Sequence, residues 1–396
     1  MQCTVQSIFR QHFADYASTR GLPGHQYKAA NAIIACRTAQ LGGHIQTCAN
    51  GHVQGVWYNS CRHRRCPQCN FLQAGRWLEK QKQRLIDTAH RHIVFTIPHQ
   101  FHTLWLYNTA LLMDALFRAS RNTIMELCRD PKYMGATPGF ISALHTWGRS
   151  LSLHPHIHCL VTEGGINANG EWCQPRRNCF LPARVVMAVF RGKFLHELRQ
   201  LLQRGELTYP ADTTPTLINN LVNKLGRKKW SVRIMERYAH GAGVATYLAR
   251  YVRGGPINNT QLRDDGHGHI VMHYRAHKDG GYEARQLRLT PAQFVQRYLV
   301  HVPPKGKMVV RGYGAYAPTE RETLNTVRQH FHQEPVKDEE PAIGWEEACQ
   351  KIGKEIPRCP QCDQPIRLGD IVVPDRSWKK ARDPPKDATH VPEIQS

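Results

Sequence analysis

Residues 153–162 read Leu-His-Pro-His-Ile-His-Cys-Leu-Val-Thr, LHPHIHCLVT, and this stretch decides how the chain folds. In an extended strand successive side chains alternate between two faces. His154, His156 and His158 therefore share one face, while Ile157, Cys159 and Val161 point to the other and can enter a core. Two imidazoles two residues apart on a strand can share one metal ion. Two neutral imidazoles leave several coordination positions open, which suits a catalytic divalent ion rather than a closed structural one.

Working outward, residues 92–97 (HIVFTI) are β-branched and aromatic and read as a strand stopped by Pro98. Residues 141–147 read as another, and 269–274 with 284–289 as a strand pair. Helical periodicity is expected within 1–35 (Phe9, Phe13, Tyr16), then over 72–88, 103–127, 183–204, 215–226, 244–253 and 291–299. Strands and helices interleave, so the middle of the chain is an α/β or α+β domain. Beyond about residue 319 Pro, Lys, Asp and Glu accumulate, and the last stretch, roughly 25 residues, reads as disordered.

The chain has 396 residues, room for two or three domains. Lys plus Arg number 53 against 31 Asp plus Glu, a formal charge of +22. That excess points to a polyanion such as nucleic acid. The N-terminus has no secretory signal pattern, and no apolar run approaches the roughly 20 residues of a membrane span. A soluble, cytoplasmic protein is expected. In that setting 13 cysteines and 23 histidines point to metal ligands rather than a disulfide framework.

The cysteines concentrate between Cys36 and Cys69. Cys66-Pro-Gln-Cys69 is a tight turn on which two thiolates can meet one tetrahedral Zn²⁺, and Cys48 with His52 can complete it. Cys61, His63 and Cys36 are also in reach, so the set of four stays open. Arg62, Arg64 and Arg65 on the same loop can offset thiolate charge, contact phosphate, or both. The pair Cys359 and Cys362 has only Cys349 nearby, and reads as an exposed turn rather than a second zinc site.

Residues 242–255 (AGVATYLARYVRGG) place Tyr247 and Tyr251 at i and i+4, on one helical face. Alone, this reads as an amphipathic helix; beside a His-bound metal, two phenols are what a nuclease with a covalent tyrosine intermediate requires. Arg250 and Arg253 could hold phosphates. Arg227, Lys228 and Lys229 with Trp230 form a basic run that could follow DNA with the indole stacked on a base, or be a solvated turn. Lys305, Lys307 and Arg311 suggest a loop along the same path.

Together His156-Ile-His158 and Tyr247-x3-Tyr251 resemble the two-tyrosine HUH (histidine–hydrophobic–histidine) endonucleases, and more closely the rolling-circle transposases of bacterial insertion sequences, the IS-ninety-one type. The likeness runs from about Cys36 to Ala317, through NSCRHRRCPQC (59–69), HIVFTIPH (92–99), LHTWGRSLSLHPHIHCLV (144–161), YLARYVRG (247–254) and HVPPKGKMVVRGYG (301–314). It implies an α+β fold: an HUH core of antiparallel sheet flanked by helices, with an N-terminal zinc-binding domain. The expected division is 1–88 for the lead helix and zinc domain, 89–318 for the nuclease, and 319–396 for an extension.

The resemblance further implies that His156 and His158 bind Mg²⁺ or Mn²⁺ and that a tyrosine attacks single-stranded DNA at insertion-sequence ends or target, forming a 5′-phosphotyrosine. Relatives often carry a further Cys in a CxxCGH pattern where this chain has Cys48-Ala-Asn50-Gly-His52, and a His where Arg65 stands, which leaves the zinc ligands among Cys48, His52, Cys61, Cys66 and Cys69 open. A third polar ligand is also expected, with His145 and His154 as options. The alternatives are a zinc-knuckle DNA-binding protein without nuclease activity, or a related replication initiator or relaxase.

Overall fold

The computed structural model describes residues 3–176, 180–239, 255–278, 281–336 and 355–375. At its centre is an antiparallel sheet built from β3 (His90–Thr96), β4 (Thr137–Trp147), β5 (Leu153–Ile166), β7 (Val232–Tyr238) and β11 (Val310–Tyr313). The strand order is β11-β4-β5-β3-β7, and the short β6 (Trp172–Cys173) pairs with the end of β5. Every pairing among the described strands is antiparallel. The fold is α+β.

One face of this sheet is apolar because alternation along three strands coincides. Ile93 and Phe95, Phe140 and Leu144, and Ile157, Cys159 and Val161 are all buried. They pack under two long helices, α5 (Thr109–Arg129) and α6 (Ala183–Gln203). The other face carries Ile141, Ala143 and Leu160, covered by Leu85, Ile86, Tyr316, Leu324 and Val327.

A helix expected over 103–127 is two, α4 (His102–Tyr107) and α5, broken at Asn108. Its side chain donates to the Thr208 carbonyl (2.7 Å) and accepts from the Thr208 N–H (2.8 Å), which holds the backbone out of the helical region. Helix α7 (Pro215–Gly226) is capped by Thr214 with Pro at its first turn.

The N-terminal part begins with α1 (Val5–Ser18) and α2 (Gly24–Ala35), then the hairpin β1 (Gly43–Thr47) and β2 (Val53–Tyr58), then α3 (Asn70–Arg84). Its core is shared with distant sequence. Phe9, Phe13 and Ile33 pack with Phe294 and Tyr298 of α8 (Pro291–Leu299), and with Ile270 and Met272. These last belong to the sheet β8 (Leu262–Asp264), β9 (Ile270–Lys278) and β10 (Gly281–Leu289). A final helix, α9 (Arg321–His330), precedes β12 (Arg367–Val372), which pairs antiparallel with β1. No described helix is long and apolar enough to cross a membrane.

Trp230 corrects the reading of a base-stacking indole. It is 7% exposed and lies edge-on to Phe101, Phe190 and Phe194, with Nε1 donating to the Leu225 carbonyl at 3.0 Å. Its apolar area is spent on the core. Trp230→Ala is expected to cost about 3–5 kcal/mol of stability; chemical denaturation checks it, with a loss below 1 kcal/mol contradicting the packing.

Candidate metal centres and nucleic-acid surface

The polar face of the sheet gathers five histidines: His90 and His92 from β3, His145 from β4, His156 and His158 from β5. Register sets their neighbours. His145 pairs directly with His156, and Ala143 with His158. His92 lies opposite Leu160, which makes it the diagonal neighbour of His158. The ligand atoms of His145, His156 and His158 all lie within 4.8 Å of one another. His154, the other option for a third ligand, is exposed and outside this group.

Hydrogen bonds orient two of these rings. His156 Nδ1 lies 2.6 Å from the His154 carbonyl oxygen, which can only accept, so Nδ1 carries the proton and Nε2 keeps a lone pair. His158 Nδ1 lies 2.8 Å from His92 Nε2. Were His158 to hold a metal through Nε2, its Nδ1–H would donate to His92. Nothing in the sequence near His158 marked His92 for this contact; only the register reveals it. Burial pulls His156 down to about 4 and His158 to about 2, and holds His145 well below the usual range, with the other imidazoles adding repulsion. Three neutral, clustered nitrogen donors can bind a divalent ion and leave its remaining positions open to oxygen donors such as water and phosphate.

Two sulfur-rich clusters lie elsewhere. Cys36, Cys61, Cys66 and Cys69 bring their Sγ atoms within 4.8 Å of one another, and Cys61 and Cys69 are 3.6 Å apart. Hydrogen bonds among the four thiols lower Cys69 and Cys36 and raise Cys61 and Cys66. Four thiols at this spacing fit a closed, structural zinc shell. Cys48 and His52 are not in this group. They sit against Cys359 and Cys362, which corrects both the single ligand set drawn around Cys48 and His52 and the reading of residues 359–362 as an exposed turn. The sequence separation, over 300 residues, hid that partnership.

Of the arginines on the cysteine loop, Arg62 and Arg64 are exposed. Arg65 is not available to phosphate: it is 2% exposed, its guanidinium lies 4.5 Å over the Trp147 ring, and its carbonyl accepts from the Tyr298 hydroxyl. Lys307 and Arg311 both pair with Asp114, at 2.5 and 2.6 Å, so one carboxylate offsets much of that loop's charge. Arg227, Lys228 and Lys229 are exposed. Tyr247, Tyr251, Arg250 and Arg253 lie outside the described residues.

A cleft of about 460 Å³ is lined by Arg64, Trp77, Lys80, Arg84, Ile141 and Tyr316. Ile141 faces the same side as His145, four residues along β4 and about 13 Å away at strand rise. The basic cleft and the histidines thus share one face of the sheet.

With this geometry in hand, the comparisons are specific. A family model described as "Transposase zinc-binding domain" matches residues 8–97, and one described as "Putative transposase" matches 139–323. The protein named "Putative transposase y4qJ" of Sinorhizobium fredii is 32% identical over 389 residues, covering 94% of this chain and 98% of its own. The chain belongs to the IS91 transposase family. The transposase for insertion sequence element IS801 of Pseudomonas savastanoi pv. phaseolicola is 30% identical over 314 residues, covering 78% of this chain and 74% of its own. A solved structure of the conjugative relaxase TrwC with oriT DNA covers 31% of this chain and 47% of its own, at 19% identity and a TM-score of 0.24, too low to carry an argument.

This IS91-family chain is therefore a DNA-acting transposase with an N-terminal zinc-binding domain.

Burial of imidazoles has a consequence for stability. His90 is lowered to about 4 and His301 to about 3 by burial; His90 also contacts the Thr88 carbonyl and Tyr316 hydroxyl, and His301 the Thr146 hydroxyl and Leu151 carbonyl. The unfolded chain takes up protons near pH 6.5 while the folded chain resists them. Stability is therefore full above pH 6.5 and falls as pH drops toward 4, by roughly 1–2 kcal/mol per group between pH 7 and 5. Thermal melts should show a smaller drop over that interval in His90→Gln/His301→Gln than in wild type; equal drops would contradict the assignment.

Proposed function

We propose that this transposase nicks and rejoins single-stranded DNA at insertion-sequence ends through a 5′-phosphotyrosine link, as in rolling-circle transposition. The observation that carries the reading is the cluster of His145, His156 and His158 beside a basic cleft on one sheet face. These three residues would hold Mg²⁺ or Mn²⁺, with His92 fixing the His158 ring. When bound, the ion supplies positive charge that offsets charge on the reacting phosphate oxygen.

The remaining steps belong to the chain. Arg64, Lys80 and Arg84 in the cleft, with exposed Arg62, would hold the DNA backbone by phosphate contacts. The phenol oxygen of Tyr247 or Tyr251 attacks phosphorus, the bond from phosphorus to the 3′ oxygen breaks, the phenol gives up its proton, and the leaving oxygen takes one. A 5′-phosphotyrosine and a free 3′-OH result. Bond energy is kept in the covalent link, so a strand can rejoin without a nucleotide cofactor. The second tyrosine permits a second cleavage before the first link is resolved. In this reading residues 89–318 carry the nuclease, 1–88 the zinc-binding part and 319–396 an extension, and the protein works in the cytoplasm with its DNA.

The decisive assay incubates the protein with Mn²⁺ or Mg²⁺ and a labelled single-stranded oligonucleotide from an element end, then looks for adduct on a denaturing gel. Wild type should give adduct; His156→Ala and Tyr247→Phe/Tyr251→Phe should reduce it at least 100-fold. Adduct surviving in the double tyrosine variant would sink the mechanism. Salt-sensitive DNA retention with every strand intact would favour the binding-only alternative.

A further inference from the structure

We propose that Cys48, His52, Cys359 and Cys362 form a second structural zinc site, separate from the Cys36 cluster, which clamps residues 355–375 onto the N-terminal hairpin. Their ligand atoms lie within 4.8 Å of one another. Sγ of Cys48 is 3.4 Å from His52 Nδ1, Sγ of Cys359 is 3.6 Å from the same nitrogen, and the sulfurs of Cys48 and Cys362 are 3.5 Å apart. A zinc tetrahedron with Zn–S of about 2.3 Å and Zn–N of about 2.0 Å has S···S edges of about 3.8 Å and S···N edges of about 3.5 Å. The observed S···N spacings lie on that edge, and the S···S spacing of 3.5 Å is close to its own. They are far too long for a disulfide, whose sulfurs sit about 2.05 Å apart.

Both pairs stand on tight turns aimed at each other. Cys48 to His52 is closed by Cys48 N–H to the His52 carbonyl (3.2 Å) and Gly51 N–H to the Cys48 carbonyl (3.0 Å), with Gly51 at φ +79°. Cys359 to Cys362 is closed by Asp363 N–H to the Cys359 carbonyl (2.8 Å) and Cys359 N–H to the Gln364 carbonyl (2.9 Å). The Gln54 amide donates to the Cys359 sulfur at 3.4 Å.

The segment these residues hold has little else to hold it. Within 355–375, Cys359 is the one buried side chain, at 2% exposure, whereas Leu368, Ile371 and Val373 are all exposed. Strand β12 therefore adds hydrogen bonds to the edge of β1 without adding a core. A lone strand pairing does not repay the entropy of ordering such a stretch. A closed site of three thiolates and one imidazole does, because metal binding is coupled to folding.

The test uses full-length protein in a His156→Ala/His158→Ala background, so that the imidazole cluster contributes no metal. Zinc per chain is counted by mass spectrometry, and thiolate charge-transfer absorption is read after cobalt replacement. The expectation is two zinc equivalents, falling to one in Cys359→Ser/Cys362→Ser with faster proteolysis confined to the C-terminal segment. Cys362→His, which keeps a ligand, should retain the second equivalent. One equivalent in the background protein that persists in Cys359→Ser/Cys362→Ser overturns this site and leaves the N-terminal zinc-binding domain standing. No zinc at all overturns both, and two equivalents persisting in Cys359→Ser/Cys362→Ser overturns the assignment of ligands.

Discussion

The histidine cluster exists because Ile157, Cys159 and Val161 are fully buried beneath α5 and α6. Strand alternation then gives His156 and His158 one available face. A slip of one residue between β4 and β5 would turn the imidazoles into the core and the core residues out, so the hydrophobic pattern fixes register and register fixes the ligands. The same pairing sets His145 opposite His156 and leaves His92 diagonal to His158. Burial does a second job here. It keeps these imidazoles neutral, which is the form that donates a lone pair to a metal.

A second dependence ties the zinc-binding part to the sheet. Cys36, Cys66 and Cys69 belong to the same apolar cluster as Phe9, Phe294 and Tyr298. The Tyr298 hydroxyl binds the Arg65 carbonyl, and the Arg65 guanidinium covers Trp147 at the end of β4. The cysteine loop is thus anchored to the strand that carries His145, through contacts shielded from water. Arg65 serves that anchorage. With Lys307 and Arg311 held by Asp114, the charge left facing solvent falls on residues such as Arg62, Arg64, Lys80 and Arg227 to Lys229.

Much of this was legible in the residues themselves. The alternation in LHPHIHCLVT, the β-branched run at 92–97 and the proline-started helices at 215 and 291 are local signals, and the strands and helices appear where they point. Charge said nucleic acid, and clustered cysteines said zinc. Trp230 shows where local signals mislead: a tryptophan after three basic residues looks like a stacking platform, yet Phe101, Phe190 and Phe194 claim its ring. Asn108 breaks a helix that periodicity makes continuous, because its partner, Thr208, is 100 residues away.

The sequence by itself determined the class of ligand, the face each histidine takes and the family to which the chain belongs, since strand period and motif order are properties of neighbouring residues. Which thiols meet was decided by the tertiary structure alone. Cys48 and His52 look like partners of Cys66 and Cys69 at separations of 14 to 21 residues, but β1 and β12 pair edge to edge and bring Cys359 and Cys362 to them instead. Coordination is a condition on distances in space of a few ångströms, and chain separation carries no information about it once a strand can return from the far end of the molecule.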